Sequence, residues 1–440
     1  MKKNNAKKVI ILGAGPSGLS LAYNLLKMSG KFIPIIIEKS SRIGGLAANC
    51  YFDEFGVDFG GHKINDFTKI QKNFKEIFLS SDFSKNIFKN QNNFSILKDR
   101  KIIQYSLKNI IKELGIKNSF AFLFSYFSSM IFKKDFKNLE DYLIFKYSKF
   151  VYENFFKYSI SNFLNTDLSN VSSDFSFSFF ENLSFKKNEF YYPKFGYSEL
   201  WSKIAEYIIN KGGEIILDSE FCDFKYEKNI IFSALYKNNG SINEITADYF
   251  VSSIPINEII RAIDAPFNIK QYGLNLKYLD LLTVNFYLEK DKINQDFLNN
   301  SSVYPINKDS KIFKINILDN FSPFLNADFR NKCIVSALIT DKCGEMLKFS
   351  DSEIVELATD ECAKYNLFYK SDICKTSFLR VKNALPLYID NYKNINKIYE
   401  AISNYKNLFT IGMNGQFKIL NTIQSMESGL NMAQTIMDKG

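Results

Sequence analysis

Arginine and histidine are scarce in this chain of 440 residues. Histidine occurs once, as His62, and only five arginines stand among the 56 basic residues. The lysines that supply the rest are spread along the chain. Proteins that read nucleic acids favour arginine, because its planar guanidinium contacts bases and phosphates through paired hydrogen bonds. The formal net charge of +9 therefore does not indicate a nucleic-acid partner.

Cysteine pairs are missing as well. The six cysteines include no CxxC spacing, and one histidine cannot complete the usual ligand sets of a zinc site, so we expect no metal. A catalytic triad would have to use His62. Widely spaced cysteines in a chain of this length are typical of free thiols in a reducing compartment, which favours the cytoplasm.

Long apolar runs are also absent. The nearest, residues 120–132, is shorter than the roughly 18–20 residues that span a bilayer, and serines interrupt it. This stretch and residues 175–185 fit ordinary core best; the alternatives are a hydrophobic substrate tunnel or contact with a membrane surface. We therefore expect a cytoplasmic protein, and a peripheral location at the inner face of the membrane remains an alternative.

A short apolar run followed by closely spaced glycines is the most informative feature of the N-terminal part. Residues 9–12 predict a strand that is buried on both faces. A glycine-rich loop follows at residues 13–18, residues 19–28 predict a helix, and residues 33–37 predict a second strand that ends at Glu38. This order is the β-α-β unit of a dinucleotide-binding fold.

The residue types of this loop suit a dinucleotide. Gly13 permits a tight turn, Gly15 lets the backbone approach a pyrophosphate, and Gly18 lets the helix pack closely on the strand. Pro16 and Ser17 belong to the loop, and the unpaired N–H groups at the N-terminus of the helix that follows favour phosphate. We therefore predict cofactor contacts along the whole loop.

The acid that ends the second strand opens another motif. Glu38 stands where a carboxylate accepts hydrogen bonds from ribose hydroxyls. The segment Glu-Lys-Ser-Ser-Arg-Ile-Gly-Gly-Leu-Ala at residues 38–47 resembles the second glycine stretch of flavoproteins in the amine oxidase and protoporphyrinogen oxidase superfamily, which includes UDP-galactopyranose mutase. The resemblance implies FAD, with its pyrophosphate and ribityl chain held by Lys39, Arg42, Gly44, Gly45 and Leu46.

Two further segments extend the resemblance. Residues 55–62 look like the FD-GGH segment of this superfamily, which implies that Gly60, Gly61 and His62 approach the flavin. Residues 139–174 are similar to a helical segment of oxidoreductases from surface-glycan and lipid gene clusters. The role of His62 stays open between a proton donor or acceptor beside the flavin and a structural histidine bonded to a backbone carbonyl.

The second half of the chain adds two more matches. The loop Tyr-Tyr-Pro-Lys-Phe-Gly at residues 191–196 is similar to the YP-x-x-G loop of the superfamily, and Phe221 then falls on an edge strand whose backbone contacts adenine. Residues 408–429 look like the closing signature, which implies cofactor contacts at Gly412 and Gln424 and a helix N-terminus directed at the flavin pyrimidine.

The closing signature also departs from one branch of the superfamily. The galactopyranose mutases carry there an arginine, two tyrosines and an aspartate, and these residues grip a nucleotide diphosphate. The corresponding positions here look like Met413, Phe417, Leu420 and Ile423. Without charged and hydroxyl donors at these positions a diphosphate would lack hydrogen-bond partners, which argues against the mutase interpretation.

The fold class expected is α/β, with a Rossmann-like FAD-binding domain interleaved with a mixed-sheet substrate domain that carries a helical insert. The predicted pieces are residues 1–66, 191–255 and 396–440 for FAD binding, 67–190 for the mostly helical insert and 256–395 for the substrate sheet. Periodicity and turn residues predict helices at 197–211 and 424–437, and strands at 214–217, 230–235, 242–251, 281–288, 333–340 and 407–411.

The function expected is that of an FAD-dependent oxidoreductase, which takes a hydride from an organic substrate, with oxygen or another acceptor reoxidising the flavin. By analogy the substrate is a small molecule, hydrophobic or glycan-linked, from surface-glycan, lipid or isoprenoid synthesis. Two alternatives stay open: a non-redox sugar mutase that uses reduced flavin as nucleophile, and a flavin-binding assembly partner without turnover. The oligomeric state is left open too.

Overall fold

A computed structural model of the chain describes residues 6–53, 55–64, 67–74, 77, 85–104, 107–131, 135–175, 189–342 and 344–439. Within these ranges the strands are, in chain order, β1 (Lys7–Leu12), β2 (Phe32–Ile37), β3 (Asn49–Phe52), β4 (Phe55–Asp58), β5 (Ile87–Gln91), β6 (Phe94–Lys98), β7 (Lys101–Gln104), β8 (Glu189–Pro193), β9 (Glu214–Ile216), β10 (Ser219–Glu227), β11 (Ile230–Asn238), β12 (Ser241–Thr246), β13 (Tyr249–Ser252), β14 (Lys277–Glu289), β15 (Ser302–Pro305), β16 (Ile312–Ile317), β17 (Lys332–Lys342), β18 (Ile373–Leu387) and β19 (Leu408–Thr410).

The α-helices of the same ranges are α1 (Pro16–Met28), α2 (Phe67–Asn73), α3 (Leu107–Ile131), α4 (Leu139–Tyr147), α5 (Lys149–Val151), α6 (Lys157–Leu164), α7 (Tyr197–Asn210), α8 (Ile256–Ala262), α9 (Phe267–Leu274), α10 (Gln295–Leu298), α11 (Asp351–Lys364), α12 (Ile395–Ser403), α13 (Gly412–Gly415) and α14 (Thr422–Lys439).

Five parallel strands in the order β19-β13-β1-β2-β9 form the sheet that carries the N-terminal glycine loop. β1 lies at its centre with four consecutive buried residues, and α1 follows it directly, as the sequence predicts. A Cβ on Gly18 would lie 2.1 Å from the carbonyl oxygen of Gly13, and one on Gly429 would lie 2.2 Å from that of Ser17. Glycine at these two positions therefore lets α1 pack tightly against both the loop and α14.

The prediction of one continuous strand over residues 242–251 is wrong. β12 pairs with β11 in a three-stranded antiparallel sheet, whereas β13 pairs with β1 and β19 in the parallel sheet. Asp248 lies between them, with its carboxylate accepting the Lys8 N–H at 2.7 Å and its own N–H donating to the Lys8 carbonyl. This link to the start of β1 redirects the chain into the other sheet.

A seven-stranded mixed sheet, β18-β14-β17-β16-β15-β6-β7, lies beside the first. β6 and β7 belong to the region predicted as mostly helical, so the sequence interpretation missed these strands and β5. The turn between β6 and β7 contains Asp99 in the left-handed region, with φ of 55°. Because this turn uses a charged pair and no glycine or proline, it lacks the usual turn signal.

Helices α3 to α6 lie in the same region. α3 is divided at Gly115, whose φ of 70° and ψ of 169° lie outside the helical range. Among the described helices none combines the length and the apolar character needed to cross a bilayer. Of the phenylalanine-rich stretches, residue 132 and residues 176–185 lie outside the described residues.

Candidate functional site

The two glycine segments of the N-terminal part lie against each other. The Gly44 N–H donates to the Ala14 carbonyl at 2.8 Å, and a Cβ on Gly45 would lie 3.3 Å from the Gly15 Cα. A Cβ on Gly15 would meet no described atom within 4 Å, so open space lies in front of this residue. No side chain of the described residues caps α1, which leaves N–H groups of its first turn for an anion.

Glu38 joins the first loop to the region predicted to hold adenosine. One carboxylate oxygen accepts the Ala14 N–H at 2.8 Å and the other accepts both the N–H and the hydroxyl of Ser40. The Glu38 carbonyl accepts the Ser219 N–H, which fixes the start of β10 two residues before Phe221. The Phe221 ring itself is buried against Phe224, so its backbone is what remains for a ligand. Carboxylate oxygens accept more than one bond, and ribose hydroxyls can share Glu38.

Three predicted phosphate and ribityl contacts follow Glu38. Lys39 and Arg42 are exposed, and the Arg42 guanidinium lies 4.3 Å from the centre of the Phe59 ring. Leu46 is half-buried. This stacking uses the face of the guanidinium and leaves its N–H groups free to contact a phosphate.

Trp201 supports the second glycine segment, and the sequence interpretation assigned it no such role. Its indole N–H donates to the Ala47 carbonyl at 2.7 Å, and the ring is fully buried. A Cβ on Gly44 would lie 2.4 Å from a carbon of this ring. The lone tryptophan on a helix after a Pro-x-x-Gly loop is the signal that could have found it.

The closing segment lies on the same surface. The Gly412 N–H donates to the Ser428 hydroxyl at 3.1 Å, and a Cβ on Gly412 would lie 2.3 Å from the Ser17 hydroxyl oxygen. At the start of α14, Asn421 and Gln424 each accept the backbone N–H of the other at 2.9 Å. Asn421 therefore caps α14, and Gln424, at the third helical position, completes a capping box. The first-turn N–H groups between these two residues are the ones that can face the flavin.

Asp58 organises the loop that carries the predicted flavin-side residues. Its carboxylate is fully buried and accepts the N–H groups of Gly60 at 2.9 Å and Gly61 at 2.8 Å, His62 Nδ1 at 3.2 Å and the Tyr192 hydroxyl at 2.9 Å. Burial alone would raise the pKa of Asp58, but His62, Gly60 and Tyr192 together hold it below 3.8. The carboxylate is therefore ionised at neutral pH.

The charge of Asp58 fixes the tautomer of His62. An ionised carboxylate can only accept a hydrogen bond, so Nδ1 of His62 carries the proton and Nε2 is the acceptor of the neutral ring. A quarter of the His62 side chain is exposed. The ring thus pairs with a carboxylate rather than with the backbone carbonyl of the structural alternative. This arrangement suits a proton acceptor, although the catalytic role itself stays a prediction.

Two lysines that the sequence interpretation missed lie close to this loop. Lys63 donates to the side chains of Asn92, Ser301 and Ser302 at 2.9–3.1 Å. Lys314 of β16 donates to the Gly61 carbonyl at 3.4 Å. Desolvation lowers the pKa of Lys314 to about 8, and desolvation together with the charge of Lys314 lowers that of Lys63 well below its usual value.

A polar row crosses the seven-stranded sheet beneath the same loop. Aligned positions on β18, β14, β17, β16 and β15 are occupied by Ser377, Asn285, Ser336, Asn316 and Ser302. Thr283 of β14 donates its hydroxyl to the Phe59 carbonyl at 2.9 Å. Polar residues at alternate positions of apolar strands, as Lys314 and Asn316 in Ile-Phe-Lys-Ile-Asn-Ile, are the signal that could have found this row.

The site has the features that a long dinucleotide requires. Open space at Gly15, an uncapped helix start and a second glycine backbone fit a pyrophosphate, and Glu38 fits a ribose. The buried Asn316 Nδ2 and Tyr197 hydroxyl have no hydrogen-bond partner among the described residues. Such donors, beside Gly61 and His62, suit the polar edge of an isoalloxazine ring. The residues present therefore fit FAD.

Comparison with known proteins agrees with this fit. The sequence profile of the family described as flavin-containing amine oxidoreductase matches residues 16–436, which is nearly the whole chain. A comparison with curated protein sequences gave no significant match.

Solved structures share the fold at low sequence identity. A reduced UDP-galactopyranose mutase superposes with a TM-score of 0.79 at 14% identity, over 99% of this chain and 94% of that one. A candidate protoporphyrinogen oxidase from Exiguobacterium sp. 255-15 superposes with a TM-score of 0.74 at 15% identity, over 99% of both chains. A wild-type putrescine oxidase bound to putrescine gives 0.65 at 12% identity, over 98% and 99%.

The profile match and these likenesses confirm the expected fold class and superfamily. They agree with the glycine cradle and the uncapped helix start. The chain belongs to the flavin-containing amine oxidoreductase family, and its cofactor is FAD.

Proposed function

We propose that this protein is an FAD-dependent oxidoreductase that removes a hydride from a carbon atom bearing an N–H or O–H group. The observation that carries the proposal is the Asp58–His62 pair on the loop beside the two glycine segments. The two glycine segments and Glu38 would hold FAD, which would supply the hydride acceptor when bound, with oxygen or another acceptor as the final oxidant. The chain itself must then bind the substrate, orient it and take up one proton.

His62 takes that proton in the proposal. Oxidation of H–C–N–H or H–C–O–H to C=N or C=O releases one hydride and one proton, and Nε2 of His62 is the available acceptor. The Asp58 carboxylate stabilises the imidazolium that forms, because it already accepts the Nδ1 hydrogen bond. The Lys314 ammonium donates a hydrogen bond to the Gly61 carbonyl and so helps to hold the loop in place.

The mutase alternative is disfavoured by the closing segment. Phe417 is fully buried, with its ring 5.0 Å from that of Tyr278 and 5.9 Å from that of Tyr388. Ile423 is buried as well, and Met413 and Leu420 are half-buried apolar residues. None of these side chains offers a donor to a nucleotide diphosphate. A neutral, hydrophobic or glycan-linked amine or alcohol fits these positions better, and an intermediate of surface-glycan, lipid or isoprenoid synthesis has that chemistry.

The test is an anaerobic titration of the purified holoenzyme with panels of amines and alcohols. Loss of the visible absorption band of oxidised flavin, with formation of the imine or carbonyl product, is the expected result. In parallel, UDP-sugars are incubated with dithionite-reduced enzyme. Isomerisation there, without bleaching in the first experiment, would favour the mutase. A flavin spectrum that no compound changes would favour a non-catalytic flavoprotein.

His62→Gln is the matched variant for the proton step. Glutamine can still donate to Asp58 but cannot take up a proton, so we expect FAD to be retained and the rate of flavin reduction to fall about 100-fold or more. Unchanged rates would return His62 to a structural role.

A further inference from the structure

The C-terminal part of α3 presents an apolar face to solvent. Phe120, Phe124 and Phe127 are 70%, 76% and 57% exposed, and we call them the α3 aromatic face. Their spacing of four and three residues places them within one side of a helix. On the other side Phe122 is 2% exposed and Ser119 7%, where α3 packs against α4 and α5. Large apolar side chains grouped in this way mark an interaction surface.

The charge of the surrounding sequence narrows the choice of partner. Residues 100–137 contain eight basic residues and only two acidic ones, Glu113 and Asp135, so this short segment holds a net charge of +6 out of +9 for the whole chain. The other 45 acidic residues lie elsewhere. A partner must therefore combine an apolar interior with a negative surface.

We propose that the α3 aromatic face docks this protein on an anionic lipid bilayer. Phenylalanine rings on one side of a surface helix enter the boundary between headgroups and acyl chains, while lysines around them contact anionic headgroups. Long lysine stems can follow the apolar surface and keep their ammonium groups in water. This binding lies in the plane of the membrane, consistent with the finding that no described helix could span it.

A second copy of the chain fits this face less well. A symmetric dimer would bring the same positively charged segment onto itself, since both subunits of a two-fold interface contribute the same surface. Like charges at close range oppose such an interface. A bilayer with anionic lipid supplies the opposite sign and an apolar phase at once.

The first test uses fluorescence of Phe124→Trp in the holoenzyme. The one native tryptophan, Trp201, is fully buried, so it gives a constant background. Vesicles of phosphatidylcholine with about one third phosphatidylglycerol, carrying bromine on the acyl chains, should quench the new indole if it inserts by about 5–10 Å. Phe267→Trp is the matched control, because Phe267 is 78% exposed outside this segment. Equal quenching of both variants, or of neither, would overturn the proposal.

The second test is co-sedimentation with the same vesicles. The wild type should bind them about tenfold more tightly than pure phosphatidylcholine vesicles, and high salt should reduce this preference. The triple variant Phe120→Ser, Phe124→Ser, Phe127→Ser should lose about tenfold in binding, whereas Phe267→Ser should not. Lys112→Gln with Lys137→Gln, both at exposed positions, should weaken binding to anionic vesicles alone. A wild type that ignores vesicles and instead dimerises through Phe124 would refute the lipid partner.

Discussion

Replacing Asp58 with asparagine is the sharpest perturbation that the structure offers. The buried carboxylate accepts four hydrogen bonds, three of them from consecutive residues of one loop. In Asp58→Asn one oxygen becomes an NH₂ group, so the Tyr192 hydroxyl loses its acceptor, and the remaining bonds lose the charge. Hydrogen bonds to charged groups contribute about 1.5–3 kcal/mol each and neutral ones about 0.5–1.5 kcal/mol.

The expected loss in free energy of unfolding is about 2–4 kcal/mol, since two backbone bonds weaken by about 1 kcal/mol each and the Tyr192 bond is lost. At about 1 °C for each kcal/mol in a chain of 440 residues, the melting temperature should fall by roughly 2–4 °C. Thermal unfolding followed by far-UV circular dichroism measures this change. A variant as stable as the wild type would refute the role of Asp58 as the organiser of the loop.

The pH dependence gives an independent check on the same carboxylate. Its folded pKa lies below 3.8, so its stabilising contribution is complete above the unfolded pKa and is lost as the pH falls through the folded pKa. The difference in melting temperature between wild type and Asp58→Asn should therefore be constant above about pH 5 and shrink as the pH falls below the unfolded pKa of about 3.9.

Asp319 provides the matched control for this measurement. It is also buried, but burial raises the pKa of Asp319 above 3.8. Acid then favours its folded form, so the wild-type advantage over Asp319→Asn should grow on acidification. Parallel curves for the two variants would contradict the assignment of opposite pKa directions.

Three further predictions concern the cofactor and its surroundings. Gly15→Val should purify without FAD, because the side chain would fill the open space at the pyrophosphate position. Gly30→Val is the control and should stay yellow, since a Cβ at Gly30 also lies more than 4 Å from any described atom. Equal flavin content in the two variants would contradict the placement of the pyrophosphate at Gly15. Trp201→Phe keeps the ring and removes its bond to the Ala47 carbonyl, so FAD affinity measured by fluorescence titration should fall about fivefold, the equivalent of about 1 kcal/mol. The folded pKa of Lys314 is about 8, so the folded chain releases this proton at a lower pH than the unfolded chain does. The stability of the wild type should therefore rise relative to that of Lys314→Met between about pH 8 and pH 10.5. A constant difference in stability would argue against a desolvated ammonium.

Local sequence was sufficient for the N-terminal unit. Strand, glycine loop, helix and second strand were all predicted, because an apolar run and the glycine spacing act on neighbouring residues. The split of residues 242–251 and the strands β5 to β7 were not. Asp248 ends one strand by bonding to Lys8, which lies 240 positions away in the chain, and no periodicity in the local sequence reports such a contact.

The residues of the candidate site likewise fall into those that the sequence could predict and those that it could not. The first glycine loop and Glu38 could be predicted because their chemistry follows from residue type and spacing, and Arg42 was predicted from the resemblance to the flavoprotein superfamily. Lys63 follows His62 in the chain without a local signal of its role, whereas Lys314 and the polar row are polar residues inside apolar strands. Lys314 reaches the Gly61 carbonyl, and Lys63 reaches Ser302, only in the folded chain. His62 was singled out as the only imidazole, but its tautomer depends on Asp58 and its ionisation.

The sequence by itself determined that this chain builds a dinucleotide cradle, because a glycine backbone, a helix start and a strand-end acid come from one continuous segment, and the resemblance of the next segment to flavoproteins implied FAD. Only the tertiary structure decided what surrounds the cradle. The ionised Asp58, the proton on His62 Nδ1 and the low pKa of Lys314 result from desolvation and from partners on distant strands. Burial and long-range contact are properties of the folded chain, and they set the charges with which the site can act.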